Sequence, residues 1–133
     1  MPVLRPALCL VVALSASAVF ADDPDPLAAG PAWRLVQLNG SAFTARARFS
    51  IAVDRRLAGQ APCNSFFGAI DGTAAAFHIG PLAATRNACA DLAAESAFFQ
   101  ALEAARQARI DGGRLVMTGD DGVELVFAPS APD

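Results

Sequence analysis

Short stretches of alternating apolar and polar residues follow one another from residue 33 to the end of the chain. Successive side chains of a β-strand face opposite sides, so this alternation predicts strands with one buried face. In the clearest case, Phe49 and Ile51 alternate with Arg48 and Ser50, so we expect a strand with an arginine-bearing outer face. The predicted strands cover residues 33–38, 47–53, 57–61, 64–70, 75–79, 108–111, 114–118 and 123–128.

Glycine-containing pairs between these strands predict tight hairpin turns. Asn and Asp followed by Gly tolerate the left-handed backbone that two-residue hairpin loops require. The predicted turns are Asn39-Gly40, Asp71-Gly72, Gly112-Gly113 and Asp120-Asp121-Gly122. Turns this short join antiparallel neighbours.

The spacing of the apolar residues changes once, near residue 91, from the alternation of a strand to the spacing of a helix. Asp91 is a suitable N-cap for a helix from about Leu92 to Arg106. The apolar side of this helix would carry Leu92, Phe98, Phe99, Leu102 and Ala105, and the polar side Glu95, Gln100, Glu103 and Arg106. Hairpins with one helix and no parallel β-α-β alternation predict an α+β domain.

Residues 1–21 have the pattern of a secretory signal peptide. Arg5 precedes an apolar run over residues 7–14, and small-residue cleavage patterns end at Ala18 and at Ala21. We favour cleavage after Ala21, because acidic chain begins there. Pro6 leaves the run too short for a retained anchor, and Cys9 lies too early to be lipidated. We therefore expect a soluble periplasmic or secreted protein.

Residues 22–31 are acidic and rich in proline, with few large apolar groups. Such a segment buries too little surface to order itself, so we predict a disordered tether. The folded domain is then expected over residues 32–129.

Two cysteines, Cys63 and Cys89, remain after removal of the leader with Cys9. Paired cysteines are usual in small exported domains, so we expect one disulfide. In the chain-entropy model, closing a loop of about 27 residues stabilises a domain by about 3–4 kcal/mol.

The charge pattern restricts the partners. The chain has ten basic and thirteen acidic residues, and loss of Arg5 with the leader changes the net charge from −3 to −4. An acidic domain without basic blocks argues against nucleic acid or an anionic membrane as partner. The cations concentrate at one predicted hairpin, at Arg46, Arg48, Arg55 and Arg56. They indicate either a solvated strand face or a patch for an anionic partner.

Several short elements together resemble the META domain family, to which HslJ-like heat-shock proteins belong. Trp33-Arg34-Leu35 and Asn39-Gly40 resemble the family's opening, Cys63-Asn64 with Gly68 its central element, and Thr85 with Cys89 its Thr-xxx-Cys element. The resemblance implies an antiparallel β half-barrel of short hairpins packed on one α-helix. We expect structural roles for these residues: Asn64 bonding backbone at a kink, Gly68 permitting a bulge or helix contact, and Thr85 holding the turn before the helix.

The resemblance also implies a non-catalytic envelope protein associated with heat and novobiocin tolerance. Many relatives are lipoproteins, which this chain is not expected to be. We expect no cofactor, no metal and a monomer, with an envelope protein or small ligand as partner.

The alternative is an enzyme in which Cys63 or Cys89 is the nucleophile and His78 the base. His78 is the chain's one histidine, and no Cys-x-x-Cys motif supports thioredoxin-like exchange.

Overall fold

The computed structural model describes residues 2–3, 11–17 and 24–131, and within them the chain forms ten strands and one α-helix. The strands are β1 (Ala32–Leu38), β2 (Ser41–Ala42), β3 (Arg48–Ile51), β4 (Arg56–Gln60), β5 (Ser65–Thr73), β6 (Ala76–Ile79), β7 (Ala83–Ala84), β8 (Ala105–Asp111), β9 (Arg114–Gly119) and β10 (Glu124–Ser130). The helix, α1, covers Leu92–Ala104.

The strands form one antiparallel sheet in the order β6-β5-β4-β3-β1-β10-β9-β8, with β2 paired to β1 and β7 to β5. The two ends of this order approach each other, since the amide of Ala108 donates to the carbonyl of Ala74 at 2.8 Å. A sheet whose ends meet must curve, and α1 packs on its concave side. The predicted α+β half-barrel is confirmed.

The core lies between α1 and the concave face of the sheet. Phe98 and Leu102 of α1 are fully buried. The ring of Phe66 in β5 lies 5.5 Å from that of Phe98 and 5.3 Å from that of Phe99. Edge-to-face aromatic contacts of this kind add to the gain from burial. The apolar side of the helix therefore fills the concavity that the strands enclose.

Three of the predicted hairpin turns form as expected, and one of them, Asp120-Asp121-Gly122, joins β9 to β10. Asn39 and Gly40 have φ angles of 50° and 82° and join Leu38 to its pairing partner Ser41. This is the backbone that an Asn-Gly hairpin loop favours. Gly112-Gly113 likewise joins the paired ends of β8 and β9.

The prediction of a turn at Asp71-Gly72 is wrong. Both residues lie inside β5, where Asp71 pairs with His78 and Gly72 with Phe77. The turn falls at residues 74–75 instead. Pairing over four residue pairs satisfies more backbone groups than an earlier turn would, so β5 continues past the glycine.

The helix ends two residues earlier than predicted. Ala105 already belongs to β8, where it pairs with Gly119 of β9. A β-carbon on Gly119 would lie 2.0 Å from the carbonyl oxygen of Ala104, so only glycine permits this close approach. The early end therefore results from pairing with a distant strand, which the helical pattern does not report.

The two sides of the helix also differ from the prediction at its first turn. Leu92, assigned to the apolar side, is 44% exposed, whereas Glu95, assigned to the polar side, is 3% exposed. Asp91 occupies the N-cap position but its side chain makes no capping hydrogen bond. The start of α1 is thus oriented by contacts outside the helix.

The predicted tether differs from the structure at residues 24–31. Asp25 accepts from the amide of Leu27 at 3.0 Å, and its carbonyl accepts from Ala28 at 3.0 Å. This turn places the side chain of Leu27 in the core, where it is 1% exposed. The turn therefore packs against the domain through the side chain of Leu27, the one large apolar residue of this segment.

Part of the sequence interpretation concerns residues that the structure does not describe. Arg5, Cys9, Ala18, Ala21 and the acidic residues 22–23 lie outside the described residues. Among the helical residues that the structure describes, no segment has the length and apolar character needed to span a bilayer.

Replacing Leu27 tests the packing of this N-terminal turn. We expect Leu27→Ala to lower the free energy of unfolding by about 2–4 kcal/mol, because it empties a fully buried site. Leu92→Ala makes the same chemical change at a partly exposed site and should cost less than about 1 kcal/mol. Urea denaturation of both variants measures the difference, and equal effects would contradict the docking of Leu27.

Candidate functional site

Cys63 and Cys89 form a disulfide, as the sequence predicted. Their Cα atoms lie 5.6 Å apart, and the residues are separated by 26 positions. Cys63 lies two residues before β5, and Cys89 lies three residues before α1. The bond therefore ties the start of a central strand to the segment that leads into the helix.

Asn64 lies beside this disulfide and is 5% exposed. Its amide nitrogen donates to the Oε2 atom of Glu95 at 2.7 Å and to the carbonyl of Asn87 at 3.0 Å. Its Oδ1 atom accepts from the Thr85 hydroxyl at 2.8 Å and from the Asn87 amide at 2.6 Å. All four bonds reach residues more than twenty positions away, so the side chain of Asn64 holds a distant loop and the helix instead of the nearby backbone that the sequence suggested.

Glu95 contributes the helix side of this network. Its Oε1 atom accepts from the backbone amide of Cys63 at 3.1 Å, while Oε2 accepts from Asn64. Burying a carboxyl group is unfavourable unless its oxygens are bonded, and here both are. These bonds explain why Glu95 faces inward, against the amphipathic pattern of the helix.

Thr85 completes the contact between the loop and the strand. Its hydroxyl accepts from the amide of Ser65 at 3.2 Å, and its own amide donates to the carbonyl of Ser65 at 3.1 Å. Thr85 therefore ties the chain just after β7 to the start of β5.

The network is saturated. Among the described residues, no buried side-chain nitrogen or oxygen atom lacks a hydrogen-bond partner. A ligand that bound these buried groups would have to displace an internal bond, and leaving a buried group unpaired costs about 1–3 kcal/mol. This cluster of Cys63, Asn64, Thr85, Asn87, Cys89 and Glu95, the loop clamp, joins strand, loop and helix, and the buried side chains of Asn64 and Glu95 are both engaged within it.

The other motif residues also contribute to packing. Trp33 is 8% exposed and pairs with Phe49 and Pro129 on the neighbouring strands. Asn39 accepts from the amide of Glu124 through Oδ1 at 3.0 Å and donates its own amide to the Glu124 carbonyl at 2.8 Å. The hairpin turn at Asn39-Gly40 is thereby joined to β10.

Gly68 does not form the bulge or the helix contact expected of it. It pairs regularly with Leu57, and a β-carbon at Gly68 would lie 2.9 Å from the Cδ2 atom of Leu82. Its role is to admit Leu82, which precedes β7, against the sheet.

The four arginines of the predicted patch do not form a single group. Arg46 and Arg48 lie at the start of β3, whereas Arg55 and Arg56 follow its end. The guanidinium of Arg55 donates to the carbonyl of Gly72. That of Arg56 lies 3.6 Å from the carboxyl of Asp54. A role for these arginines in binding stays a prediction.

The alternative hypothesis requires a cysteine thiolate as nucleophile. In this structure the sulfur atoms of Cys63 and Cys89 are bonded to each other, so neither is a thiolate. His78 is exposed and pairs with Asp71. His78 belongs to β6, and its partner Asp71 lies six residues along β5 from Ser65, about 20 Å at 3.3 Å per residue, so His78 is at the opposite end of β5 from Cys63. Within residues 2–3, 11–17 and 24–131, no group of three or more His, Cys, Asp or Glu side chains is arranged to hold a metal ion.

Sequence reasoning missed an exposed aromatic residue beside the clamp. Phe67 projects from the outer face of β5, opposite to Phe66, and is 61% exposed. Grooves of about 670 Å³ and 410 Å³ lie on either side of its ring. Alternation along β5 indicates that one of two adjacent phenylalanines must face outward, and that signal was present in the sequence.

The geometry agrees with comparison to known proteins. The model of the META domain family matches residues 25–132, so the chain belongs to the META domain family. The match begins before β1, in agreement with the docked turn around Leu27. Among curated proteins, none matches this chain.

Solved structures share the fold at low sequence identity. A protein from Burkholderia xenovorans, solved by NMR, matches with a TM-score of 0.64 and 20% identity over 92% of this chain and 100% of its own. A DUF4847 family protein from Bacteroides vulgatus matches with a TM-score of 0.61 and 15% identity over 79% of this chain and 96% of its own. These similarities establish the architecture alone.

Glu95→Gln tests the loop clamp. Both carboxyl oxygens accept hydrogen bonds, so an amide nitrogen at either position faces a donor, and we expect a loss of about 1–3 kcal/mol in unfolding free energy. Glu103→Gln is the matched control, because Glu103 is exposed and accepts through Oε1 alone, from Leu82. Denaturant unfolding compares the two, and an effect no larger for Glu95→Gln than for the control would refute the role of the clamp.

The disulfide has a separate test. The double variant Cys63→Ser, Cys89→Ser should unfold with about 3–4 kcal/mol less free energy, because its unfolded chain is no longer cross-linked. Thiol titration of the purified protein in denaturant should find no free thiol at these positions before reduction. Two free thiols in the unreduced protein would contradict the bond.

Proposed function

We propose that this chain is an exported, non-catalytic META domain protein that acts as a binding or structural module of the cell envelope under stress. The observation that carries the proposal is the Cys63–Cys89 disulfide. Such bonds persist in the periplasm or outside the cell and are rare in the reducing cytosol. The apolar run over residues 7–14, with small residues after it, supports export to that compartment.

The chemistry of the clamp supports a role other than catalysis. Asn64, Thr85 and Glu95 use their polar atoms on one another and on backbone groups. A general acid or base needs to reach a substrate, and a nucleophile needs a free, activated group. The family membership supports association with heat and novobiocin tolerance.

A deletion strain tests the proposed stress function. We expect the strain without this protein to survive heat and novobiocin less well than its parent, and the full chain to restore survival. A version lacking residues 2–21 should fail to restore it, because its disulfide would not form in the cytosol. His78→Ala serves as the control and should restore survival fully.

The outcome against the proposal is equally definite. Equal survival of the deletion strain and its parent under both stresses would refute the stress function. Full rescue by the version lacking residues 2–21 would refute action in the envelope.

A further inference from the structure

The outer face of the sheet carries an apolar surface that the core does not use. Phe67 exposes 61% of its area, and small or apolar residues make up most of the lining of the two grooves beside it. We call this region the Phe67 surface; its central residues are Phe67, Ala58, Ala69, Pro81 and Ala83. An exposed ring between two grooves has the shape of a docking site for an extended chain.

The charges that line this surface have one sign. Arg48 lines the larger groove and Arg56 the smaller one, and within the described part of the chain neither groove is lined by Asp or Glu. Arg48 also has an interaction within the chain, but a guanidinium carries five N–H donors and can face a further acceptor. The protein as a whole is acidic, with a net charge of −3. A second copy binding through the same surface would bring arginines against arginines, so the charge favours an acidic partner over self-association.

Along the strand direction, the register places the ring of Phe67 at a level midway between the two arginines, on the strand that pairs with the other side of β4 from Arg48. Arg48 pairs with Gln60, at one end of β4, and Arg56 lies at its other end. Ala58, midway between them, pairs with Phe67. Four residues along a strand and one strand across correspond to about 14 Å between the Cα atoms of the two arginines. An extended peptide covers that distance in about four residues.

The pairing of Arg56 does not prevent a contact with a partner. Its side chain is 76% exposed and that of Asp54 is 59% exposed, with 3.6 Å between them. Ion pairs this exposed contribute little, so a carboxylate of a partner can take the place of Asp54 at small cost.

We propose that the Phe67 surface binds an extended, acidic segment of a partner protein, in which an apolar side chain lies between two carboxylates about four residues apart. The apolar side chain would pack beside Phe67, and the carboxylates would lie near Arg48 and Arg56. The inference rests on the proposed binding function and supplies the chemistry of its partner.

A labelled peptide tests the proposal with the purified protein. The probe is fluorescein-labelled Ser-Asp-Thr-Leu-Thr-Asp-Ser, and its counterpart has lysine in place of both aspartates. We expect saturable binding of the acidic peptide by fluorescence anisotropy and none of the basic one. In NMR titrations, the amides that shift should be those of β4, β5 and the 81–84 segment.

Four variants locate the site. Phe67→Ser and Arg56→Glu should each weaken binding of the acidic peptide at least tenfold. Val53→Ser and Arg86→Glu change an exposed apolar residue and an exposed arginine that line neither groove, and should leave binding unchanged. If Phe67→Ser failed to fold, the binding affinity of Arg56→Glu for the acidic peptide would decide whether the site is on this surface.

Each remaining outcome overturns the proposal. These outcomes are no saturable binding, equal binding of the basic peptide, or shifts confined to another part of the protein. A concentration-dependent dimer in sedimentation that Phe67→Ser abolishes would assign the surface to a second copy instead. Because binding is measured without any growth phenotype, failure here leaves the stress function standing, and loss of the phenotype leaves the binding result standing.

Discussion

The hydrogen bond between Asn64 and Glu95 is the contact on which the arrangement of strand, loop and helix depends. It joins the lead-in of β5 to the first turn of α1 at 2.7 Å, between two buried side chains. The disulfide constrains the same region covalently, from Cys63 to Cys89. A covalent bond reduces the freedom of the unfolded chain, whereas the buried hydrogen bonds select one orientation of the folded parts. The two contributions are complementary and therefore occur together.

Local patterns in the sequence predicted much of the fold. Alternation located the strands, Asn39-Gly40 located a hairpin, and one change of period located α1. These features depend on neighbours within a few residues, which a single sequence displays. The cysteine pair was predictable because few partners were available for each.

Apart from the turn at Asp71-Gly72, whose strand partners are only five to seven positions away, the main errors share a physical cause, since they involve partners distant in sequence. Glu95 is buried because Cys63 and Asn64, more than thirty positions earlier, bind its oxygens. The helix stops at Ala104 because β8 pairs with β9 from Ala105 onward. Leu27 is buried because the core has room for it, which the polar composition around it does not indicate. The outward position of Phe67 was implied by alternation, but its grooves depend on which strands are neighbours.

The direct passage of α1 into β8 has a consequence for motion. A helix that opens like a lid needs a flexible connection at one end, and Ala104 and Ala105 belong to consecutive elements with no residue between them. The other end is fixed by the disulfide and by Glu95. Moving α1 away from the sheet would require breaking β8–β9 pairs or the clamp itself. The helix is therefore held over the interior of the half-barrel from both ends, and a ligand could reach that interior only if bonds of the fold itself were broken.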